Sequence, residues 1–312
     1  MKEAGIKRVA VIGAGLMGLG VGVEFARFGY PVNLYNTTKA TSEQAMARAG
    51  EDLDLMVETE LITAKEAKAA LGRLHPTIKL EEAASGADYV VEAVLELLPL
   101  KQKIFAQLDE ICPPPAVLAT NTSGLKVTDI ASVVKHPERV LATHYFHPPH
   151  FVPLVEVVGG QKTDRKVIEL AARVLHGLRK KVVIIDMELP GFIGNRLQGY
   201  LSREIHSLVD RGAATPAMID DIISYGFGRR MAYTGYFKRM DMIGLDLSAA
   251  VARGHGQEPW GPIAERVDRG DLGVKSGKGF YDWPGDTAKQ LHRRLNMELI
   301  RLMKQDMADG SI

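Results

Sequence analysis

The feature that most constrains this chain is a glycine pattern near its N-terminus. The segment RVAVIGAGLMGLG at 8–20 places Gly13, Gly15 and Gly18 directly after an apolar run and at the start of a helical pattern. In the spacing G-x-G-x-x-G, the first glycine permits a tight turn and the second lets the backbone approach a pyrophosphate. The third lets the helix pack on the strand. The pattern predicts a dinucleotide-binding unit, and a purely structural glycine turn is the alternative. The predicted cofactor contacts here are Gly13, Gly15, Leu16, Met17 and Gly18.

Short apolar runs alternate with helical patterns through the first half of the chain. The runs are rich in Val, Ile and Leu, which is typical of strands buried on both faces of a mostly parallel sheet. The predicted strands cover 8–12, 31–35, 88–92, 116–119, 140–144, 154–158 and 181–185. Between them, a capping-box spacing from Thr41 to Gln44 predicts one helix start, and an apolar stripe predicts a helix over 100–111. The alternation predicts a doubly wound α/β sheet of the Rossmann type.

The pattern changes near residue 186, after which we find no further run of strands. Apolar residues then recur at the spacing of one face of a long amphipathic helix. These residues are Leu197, Leu201, Ile205 and Leu208. Further helices are predicted over 215–225 and 240–253, and the glycine-rich segment 270–279 is predicted to be a loop. We therefore expect a dinucleotide-binding domain over 1–187 and an all-helical domain over 188–312.

Composition excludes several classes of protein. The chain has 39 basic and 38 acidic side chains, and a net charge of +1 offers no electrostatic case for a nucleic acid or an anionic membrane as partner. The single cysteine, Cys112, excludes an internal disulfide and a cysteine-based zinc site. No apolar run reaches the ~18 residues that a membrane span needs, and no signal-peptide cleavage region follows the first residues. We therefore expect a cytoplasmic protein that acts on a small molecule.

The second predicted strand ends where a dinucleotide-binding fold recognises the adenosine ribose. An acidic residue at this place accepts hydrogen bonds from both ribose hydroxyls and repels a 2′-phosphate. This chain has Asn36 instead, which can bond a hydroxyl but does not repel phosphate. Thr37, Thr38 and Lys39 follow and can bind a phosphate, or they can form a plain turn closed by an Asx-type bond. The residues leave the choice between NAD and NADP open.

Polar side chains follow two later strands of the predicted sheet. The segment AVLATNTSGL ends in Asn121, Thr122 and Ser123, and another strand ends at His144. In open α/β sheets, ligands bind in the crevice outside the carboxyl ends of the strands. We therefore expect these side chains to lie near a nicotinamide and a substrate. For Ser123, N-capping of the next helix is the alternative.

Glu156 lies in an otherwise apolar predicted strand, where an unpaired carboxylate is costly. Paired with His144, it would form a general base and the carboxylate that orients it. An exposed glutamate on an edge strand and an ordinary turn histidine are the alternative. Asn195, in the segment PGFIGNR at 190–196, can donate to a substrate carbonyl, or it can serve as a cap or surface residue.

A metal site is not predicted, although three histidines in this region are spaced by three. His144, His147 and His150 would need a shared helix face, and Pro148 and Pro149 interrupt any regular helix there.

Together these motifs resemble the short L-3-hydroxyacyl-CoA dehydrogenase family, whose relatives include L-gulonate dehydrogenase (lambda-crystallin) and L-carnitine dehydrogenase. The resemblance runs nearly end to end, and the order and spacing of its segments are highly specific. The segments are GAGLMG at 13–18, VVEAVLELLPLKQKIF at 90–105, NTSGL at 121–125, HPERVLATHYFHPPHFVPLVEVV at 136–158, PGFIGNRL at 190–197 and GVKSGKGFYDW at 273–283. The resemblance implies a Rossmann domain, a helical domain that dimerises, and NAD(P)-dependent oxidation of a CH–OH group.

The resemblance also assigns roles to matching positions. His144 would take the proton from the substrate hydroxyl with Glu156 as its partner, and Ser123 and Asn195 would hold the reacting oxygen and the neighbouring carbonyl. The further positions that match cofactor contacts of the family are Glu92, Ala93, Val94, Lys101, Asn121 and Lys275. Because the base must be neutral to accept a proton, oxidation should become faster as the pH rises.

The chain departs from the family pattern at three positions. Asn36 replaces the usual Asp, His147 stands where many members have Asn, and Gly124 makes the motif NTSG instead of NTSS. The last two lie near the substrate. The segment HPPHFVPLVE is more similar to the relatives that oxidise free hydroxy acids. Three functions follow: a 3-hydroxyacyl-CoA dehydrogenase, a dehydrogenase of a free β-hydroxy acid or other small carboxylated alcohol (gulonate- or carnitine-like), and a non-catalytic dinucleotide-binding protein like the lens crystallins.

Overall fold

A computed structural model describes residues 5–312, and the first part of the chain is built on one sheet of eight strands. The strand order is β3-β2-β1-β4-β5-β6-β7-β8, and neighbouring strands are parallel except for the antiparallel pair β6 and β7. The strands are β1 (Val9–Ile12), β2 (Val32–Tyr35), β3 (Leu74–Thr77), β4 (Tyr89–Glu92), β5 (Val117–Thr120), β6 (Val140–Tyr145), β7 (Leu154–Gly159) and β8 (Lys181–Ile185). The first six have the strand order of a Rossmann fold, which confirms the predicted doubly wound sheet.

Helices cover both faces of this sheet. They are α1 (Leu16–Arg27), α2 (Lys39–Glu58), α3 (Ala64–Leu71), α4 (Leu80–Ala84), α5 (Leu98–Ile111), α6 (Val127–Ile130) and α7 (Arg165–Gly177). Successive side chains of a strand point to opposite faces, so β1 contributes to two separate cores. Val11 packs in one core with Phe25 of α1, and Ile12 packs in the other with Phe105 of α5.

Two predictions near the N-terminus need correction. Strand β3 was missed, because it is a short edge strand that contains Pro76, and a proline is tolerated where no neighbouring strand needs its amide. The capping box predicted at Thr41 is wrong, since α2 begins earlier and is capped by Thr38, whose hydroxyl accepts from the Thr41 amide at 3.2 Å. A capping box instead joins Thr63 and Glu66 at the start of α3.

The structure divides into two compact units, one that ends at Tyr200 and one that begins at Leu201. The division into functional domains after residue 187 stays a prediction. The later part of the chain is helical, as expected. Its helices are α8 (Gly194–Asp210), α9 (Pro216–Asp221), α10 (Gly228–Thr234), α11 (Tyr236–Ile243), α12 (Leu245–Gly254), α13 (Gly261–Asp268) and α14 (Thr287–Asp309). None of the helices within residues 5–312 is long and apolar enough to cross a bilayer.

Two helices of this part are shorter than predicted. The helix expected over 215–225 ends at Asp221, where a π-helical segment, Ile222–Phe227, continues the chain with a non-helical Gly226. The helix expected over 240–253 is two helices, α11 and α12, which meet at Gly244 with a φ of 109°. Only glycine adopts such a φ readily, so the break follows from this residue.

The glycine-rich segment 270–279 is arranged around one buried carboxylate. Asp241 is fully buried and accepts from the amides of Phe280 at 2.9 Å and Tyr281 at 3.0 Å and from Nε1 of Trp283 at 2.9 Å. At Gly273 a Cβ atom would lie 2.3 Å from the Asp241 carbonyl oxygen. At Gly279 a Cβ atom would lie 2.3 Å from Oδ1 of Asp241, so the two glycines permit the close approach of this segment to the backbone and the carboxylate of Asp241.

Candidate active site

The antiparallel pairing of β6 and β7 makes His144 and Glu156 direct partners across the sheet. Both residues are 3% exposed, and Nδ1 of His144 lies 2.8 Å from Oε2 of Glu156. The other carboxylate oxygen accepts from the amides of Ile193 at 3.2 Å and Gly194 at 2.9 Å, where α8 begins. Burial acts to raise the pKa of Glu156, but the hydrogen bonds from His144 and from these amides outweigh it and hold the pKa below its usual range. Glu156 is thus kept ionised.

An ionised carboxylate only accepts hydrogen bonds, so it assigns the hydrogen of the neutral imidazole to Nδ1. The Nε2 atom of His144 then carries a lone pair, and it faces the side-chain amide nitrogen of Asn195 at 3.5 Å. The same amide donates to the carbonyl oxygen of Ser123 at 2.7 Å. The rings of Phe146 and Phe192 flank the imidazole at centroid distances of 4.8 and 5.6 Å. This arrangement presents a proton acceptor beside the side chain of Asn195 and the backbone of Ser123.

The loop after β5 brings further polar groups to this place. The side-chain oxygen of Asn121 accepts from the Tyr145 amide at 3.0 Å and so anchors the end of β6 beside His144. The amides of Ser123 and Gly124 donate to one oxygen of Glu96 at 2.8 and 3.0 Å. The sequence alone does not mark Glu96 as a site residue. Its only signal is its position four residues after Glu92, in the connection between a predicted strand and a predicted helix.

Lys101 is fully buried between two carboxylates. Its ammonium lies 2.8 Å from an oxygen of Glu92 and 3.3 Å from an oxygen of Glu96. Glu92 is also fully buried, and it accepts from the Thr120 hydroxyl and the Val94 amide, both at 2.7 Å. These contacts define the turn that follows β4. Direct contact of Glu92 and Lys101 with a cofactor stays a prediction.

The geometry of the glycine loop fits a dinucleotide. At Gly18 a Cβ atom would lie 2.0 Å from the Gly13 carbonyl oxygen, and at Gly13, where φ is +97°, it would lie 2.9 Å from the Ala93 oxygen. At Gly15, by contrast, no described atom lies within 4 Å of that position. Gly15 is also the N-cap of α1 and, since it has no side chain, cannot cap the first amides of the helix. The first amides of α1 therefore face open space, as a pyrophosphate site requires.

Asn36 directly follows β2 and is buried beside this loop. Its side-chain oxygen accepts from the Ala14 amide at 3.2 Å, and its side-chain nitrogen donates to the Thr41 carbonyl at 3.4 Å. A groove of about 610 Å³ opens nearby between α2 and the β3–α4 connection. An uncharged amide thus occupies the position at which the ribose is recognised.

Lys275 belongs to the second unit, in which its exposed ammonium pairs with Asp246. Its approach to the cofactor stays a prediction.

Comparison with known proteins identifies the family. Residues 8–188 match the model of the 3-hydroxyacyl-CoA dehydrogenase NAD binding domain, and residues 191–283 match that of the C-terminal domain. The chain is 33% identical to a probable 3-hydroxybutyryl-CoA dehydrogenase of Bacillus subtilis, over 91% of this chain and 99% of that protein. It is 29% identical to the 5-formyl-3-hydroxy-2-methylpyridine 4-carboxylate 5-dehydrogenase of Mesorhizobium japonicum, over 96% of this chain and 98% of that protein.

Solved structures give the same result. The crystal structure of a 3-hydroxyacyl-CoA dehydrogenase from Archaeoglobus fulgidus superposes with a TM-score of 0.78 at 28% identity, over 95% of this chain and 99% of that one. The sequence matches, the fold and the glycine loop thus all indicate the same family. The chain belongs to the 3-hydroxyacyl-CoA dehydrogenase family of NAD-dependent oxidoreductases that act on CH–OH groups.

Proposed function

We propose that this chain oxidises a 3-hydroxyacyl-CoA to the 3-oxo compound, with His144 as general base. One observation carries the proposal: a buried histidine, oriented by a carboxylate 2.8 Å away, turns its free Nε2 toward Asn195. A protein that only binds a dinucleotide needs no such arrangement. The proposed function therefore rests on the residues of the site and not on the fold alone.

The residues divide the work as follows. NAD, when bound, accepts the hydride from the substrate carbon. Nε2 of His144 accepts the hydroxyl proton, and the ionised Glu156 stabilises the imidazolium that results. The Ser123 hydroxyl and the Asn195 amide donate to the reacting oxygen and the neighbouring carbonyl. Because the histidine must be neutral to accept the proton, oxidation is faster at higher pH.

A free carboxylated alcohol is the second candidate substrate. The relative from Mesorhizobium japonicum, whose name gives a pyridine carboxylate, matches nearly the whole chain. His147 and Gly124 depart from the pattern of acyl-CoA enzymes near the dyad. In addition, the sequence has no distinct basic cluster for the phosphates of CoA unless Lys65, Lys68 and Arg73 form one, and one guanidinium nitrogen of Arg73 donates to the Ala26 carbonyl at 3.1 Å. These observations favour the smaller substrate, whereas the matches to 3-hydroxybutyryl-CoA dehydrogenases favour the thioester.

A substrate panel tests the proposal. The purified chain is assayed at the nicotinamide absorbance with 3-hydroxybutyryl-CoA, free 3-hydroxybutyrate, L-carnitine and L-gulonate. We expect kcat/KM for the thioester to exceed that for each free acid by at least about tenfold, the equivalent of 1.4 kcal/mol of transition-state binding. The reverse order would select the second candidate. Binding of NAD without turnover of any substrate would favour a non-catalytic protein.

The same assay, run with NADP, tests the role of Asn36. We expect NAD to be preferred weakly, because Asn36 does not repel a 2′-phosphate. Asn36→Asp should raise the ratio of kcat/KM for NAD over NADP by about tenfold, since the new carboxylate adds one repulsive charge. An unchanged ratio would contradict this role.

We further propose that the chain works in the cytoplasm as a homodimer through its helical domain. An exposed apolar stripe on α14 supports a protein contact in this part of the chain. The stripe consists of Met297, Ile300, Met303 and Met307. The molar mass in solution, measured by light scattering, tests the dimer.

A further inference from the structure

A buried lysine holds the loop that joins the two strands of the dyad. This loop, residues 146–153, connects β6 to β7. The Lys180 ammonium donates to the carbonyl oxygens of Pro149 at 2.6 Å and Val152 at 3.2 Å, and it lies 3.3 Å from a carboxylate oxygen of Glu24. Its side chain is 3% exposed. An ammonium has three hydrogens, so these three acceptors satisfy it completely.

The counter-ion comes from the first helix of the dinucleotide-binding fold. Glu24 lies in α1, is 4% exposed and also pairs with Arg27 at 3.0 Å. Burial raises the pKa of Glu24, and the charges of Lys180 and Arg27 oppose this only in part. Burial lowers the pKa of Lys180, which the charge of Glu24 opposes in part and the charge of Arg27 reinforces. Lys180 thus links the segment before β8, the 146–153 loop and α1.

The loop lies directly on α1 at Gly20. A Cβ atom at this glycine would lie 2.5 Å from Nδ1 of His150 and 2.6 Å from Cγ of Pro149. The His150 side chain is 7% exposed, and neither ring nitrogen has a hydrogen-bond partner within residues 5–312; the nearest carboxylate oxygen, on Asp52, is 3.5 Å away. A loop packed this closely against a helix has little freedom to shift.

The position of this loop affects the catalytic pair because the loop begins with Phe146. The Phe146 ring lies 4.8 Å from the His144 ring, and it fills the space in which a Cβ atom at Gly194 would lie, 2.5 Å from Cζ. The Gly194 amide in turn donates to Glu156 at 2.9 Å. A movement of the loop would therefore move both the ring beside the base and the donor to its carboxylate.

Stability alone does not explain a buried charge here. Removing two charges from water costs several kcal/mol, and well-packed apolar residues often serve as well or better. The lysine, however, binds two backbone carbonyls of one loop, which apolar side chains cannot do. We propose that Lys180 is a positioning residue for the reaction, which fixes the 146–153 loop and, through Phe146, the geometry of the His144–Glu156 pair. This inference rests on the proposed function of that pair.

Three variants separate positioning from folding. Lys180→Met removes the bonds to the Pro149 and Val152 carbonyls and leaves Glu24 paired only with Arg27. Glu24→Gln is the matched control, because it removes the counter-ion and keeps both carbonyl bonds. The double variant Glu24→Gln/Lys180→Met removes both charges of this pair, so neither is left buried opposite an uncharged partner. Arg27, whose side chain is 14% exposed, loses its carboxylate in the double variant just as it does in Glu24→Gln.

We expect Lys180→Met to lower kcat by about tenfold or more, since small misplacements of catalytic groups have effects of this size, while KM for NAD changes less than about twofold. Glu24→Gln should lower Tm but keep kcat within about twofold, because the loop is still held. The double variant should regain part of the Tm lost in Lys180→Met without regaining kcat. Recovery of kcat together with Tm, or an equal loss of kcat in Glu24→Gln, would overturn the proposal.

A readout that needs no substrate keeps this test independent of the proposed function. The nitrogen shifts of His144 in ¹⁵N-histidine-labelled protein report the hydrogen bond from Nδ1 to Glu156. Lys180→Met should shift or broaden these signals, and Glu24→Gln should leave them in place. If the signals respond in this way but the wild-type chain oxidises no substrate, the proposed function fails and the positioning role stands. Signals that Lys180→Met leaves unchanged would refute the positioning role.

Discussion

Two buried pairs, Lys180 with Glu24 and His144 with Glu156, differ in whether every polar atom has a protein partner. The Lys180 ammonium uses all three hydrogens on acceptors of the fold. In the pair of His144 and Glu156 both carboxylate oxygens are bound, but among residues 5–312 the imidazole Nε2 has only the distant amide of Asn195, at 3.5 Å. We call the pair of Lys180 and Glu24 closed, because each of its polar atoms has a partner, and the pair of His144 and Glu156 open, because Nε2 has no close partner.

The two pairs are also associated with different faces of the sheet. Ala142, on the same face of β6 as His144, packs in the core that contains Phe105 of α5. Glu24 lies in α1, whose Phe25 packs in the core on the other face. Burial alone therefore does not mark a catalytic group. A buried polar group that lacks a hydrogen-bond partner within the fold is the better indicator of a catalytic role. The pair of Lys180 and Glu24, whose polar atoms all have partners, instead holds the neighbouring segments in place.

Removing the open pair's base should have the largest effect. We expect His144→Ala to lower kcat by at least ~10²-fold, at the low end of what a general base contributes. Steady-state rates measure the change, and NAD binding followed by fluorescence should be unaffected. His176→Ala, which alters an exposed histidine of α7, is the matched control and should retain normal turnover. A near-normal rate in His144→Ala would remove the basis for the assignment.

Changing the carboxylate of the open pair should have a smaller effect on rate. In Glu156→Gln the new amide carries donors that face the Ile193 and Gly194 amides or Nδ1 of His144, so the imidazole is oriented less well. We expect kcat to fall by about 10- to 100-fold, by analogy with carboxylates that orient metal-bound histidines. The ¹⁵N shifts of His144 should show a changed tautomer balance. If the rate equals that of the wild type, the carboxylate does not orient the base.

Lowering the pH should reduce the contribution of Glu156 to the stability of the folded protein. The folded state holds the pKa of Glu156 below its usual range, so the stability it contributes is present at pH values above the unfolded pKa and is lost as the pH falls through the folded one. The Tm difference between the wild type and Glu156→Gln should therefore shrink as the pH is lowered from about 6 toward 3. Thermal unfolding at several pH values measures it. A difference that grows in acid would contradict the sign of this shift.

The smallest expected effect concerns the close packing beside the closed pair. An alanine normally stabilises a helix interior by about 1 kcal/mol relative to glycine. Gly50→Ala in α2, where no described atom lies within 4 Å of the new carbon, should raise Tm by about 2–4 °C. Gly20→Ala should instead lower Tm, because the new carbon would lie 2.5 Å from His150. An equal rise in Tm in both variants would show that the 146–153 loop moves easily to make room for the new carbon. The loop would then not be held firmly in place.

Much of the fold could be predicted because its signals are local. The strand, glycine loop and helix at 8–20 are contiguous, and apolar runs mark seven of the eight strands. The missed strand β3 carries a weak signal, since an edge strand needs neither continuous apolar residues nor every amide. The break at Gly244 was equally hard to foresee, because an isolated glycine within a helical pattern is often tolerated.

The sequence by itself determined the dinucleotide-binding fold, the placement of His144 at the end of a strand and the departure at Asn36, because each depends on neighbours within a few residues. Only the tertiary structure decided whether Glu156 lies on an exposed edge or opposite His144, since this depends on the antiparallel register of β6 and β7. It also revealed Glu96 and Lys180. In a sequence these two resemble ordinary surface charges, and their partners, Ser123 and Glu24, are brought to them only when the whole sheet is assembled.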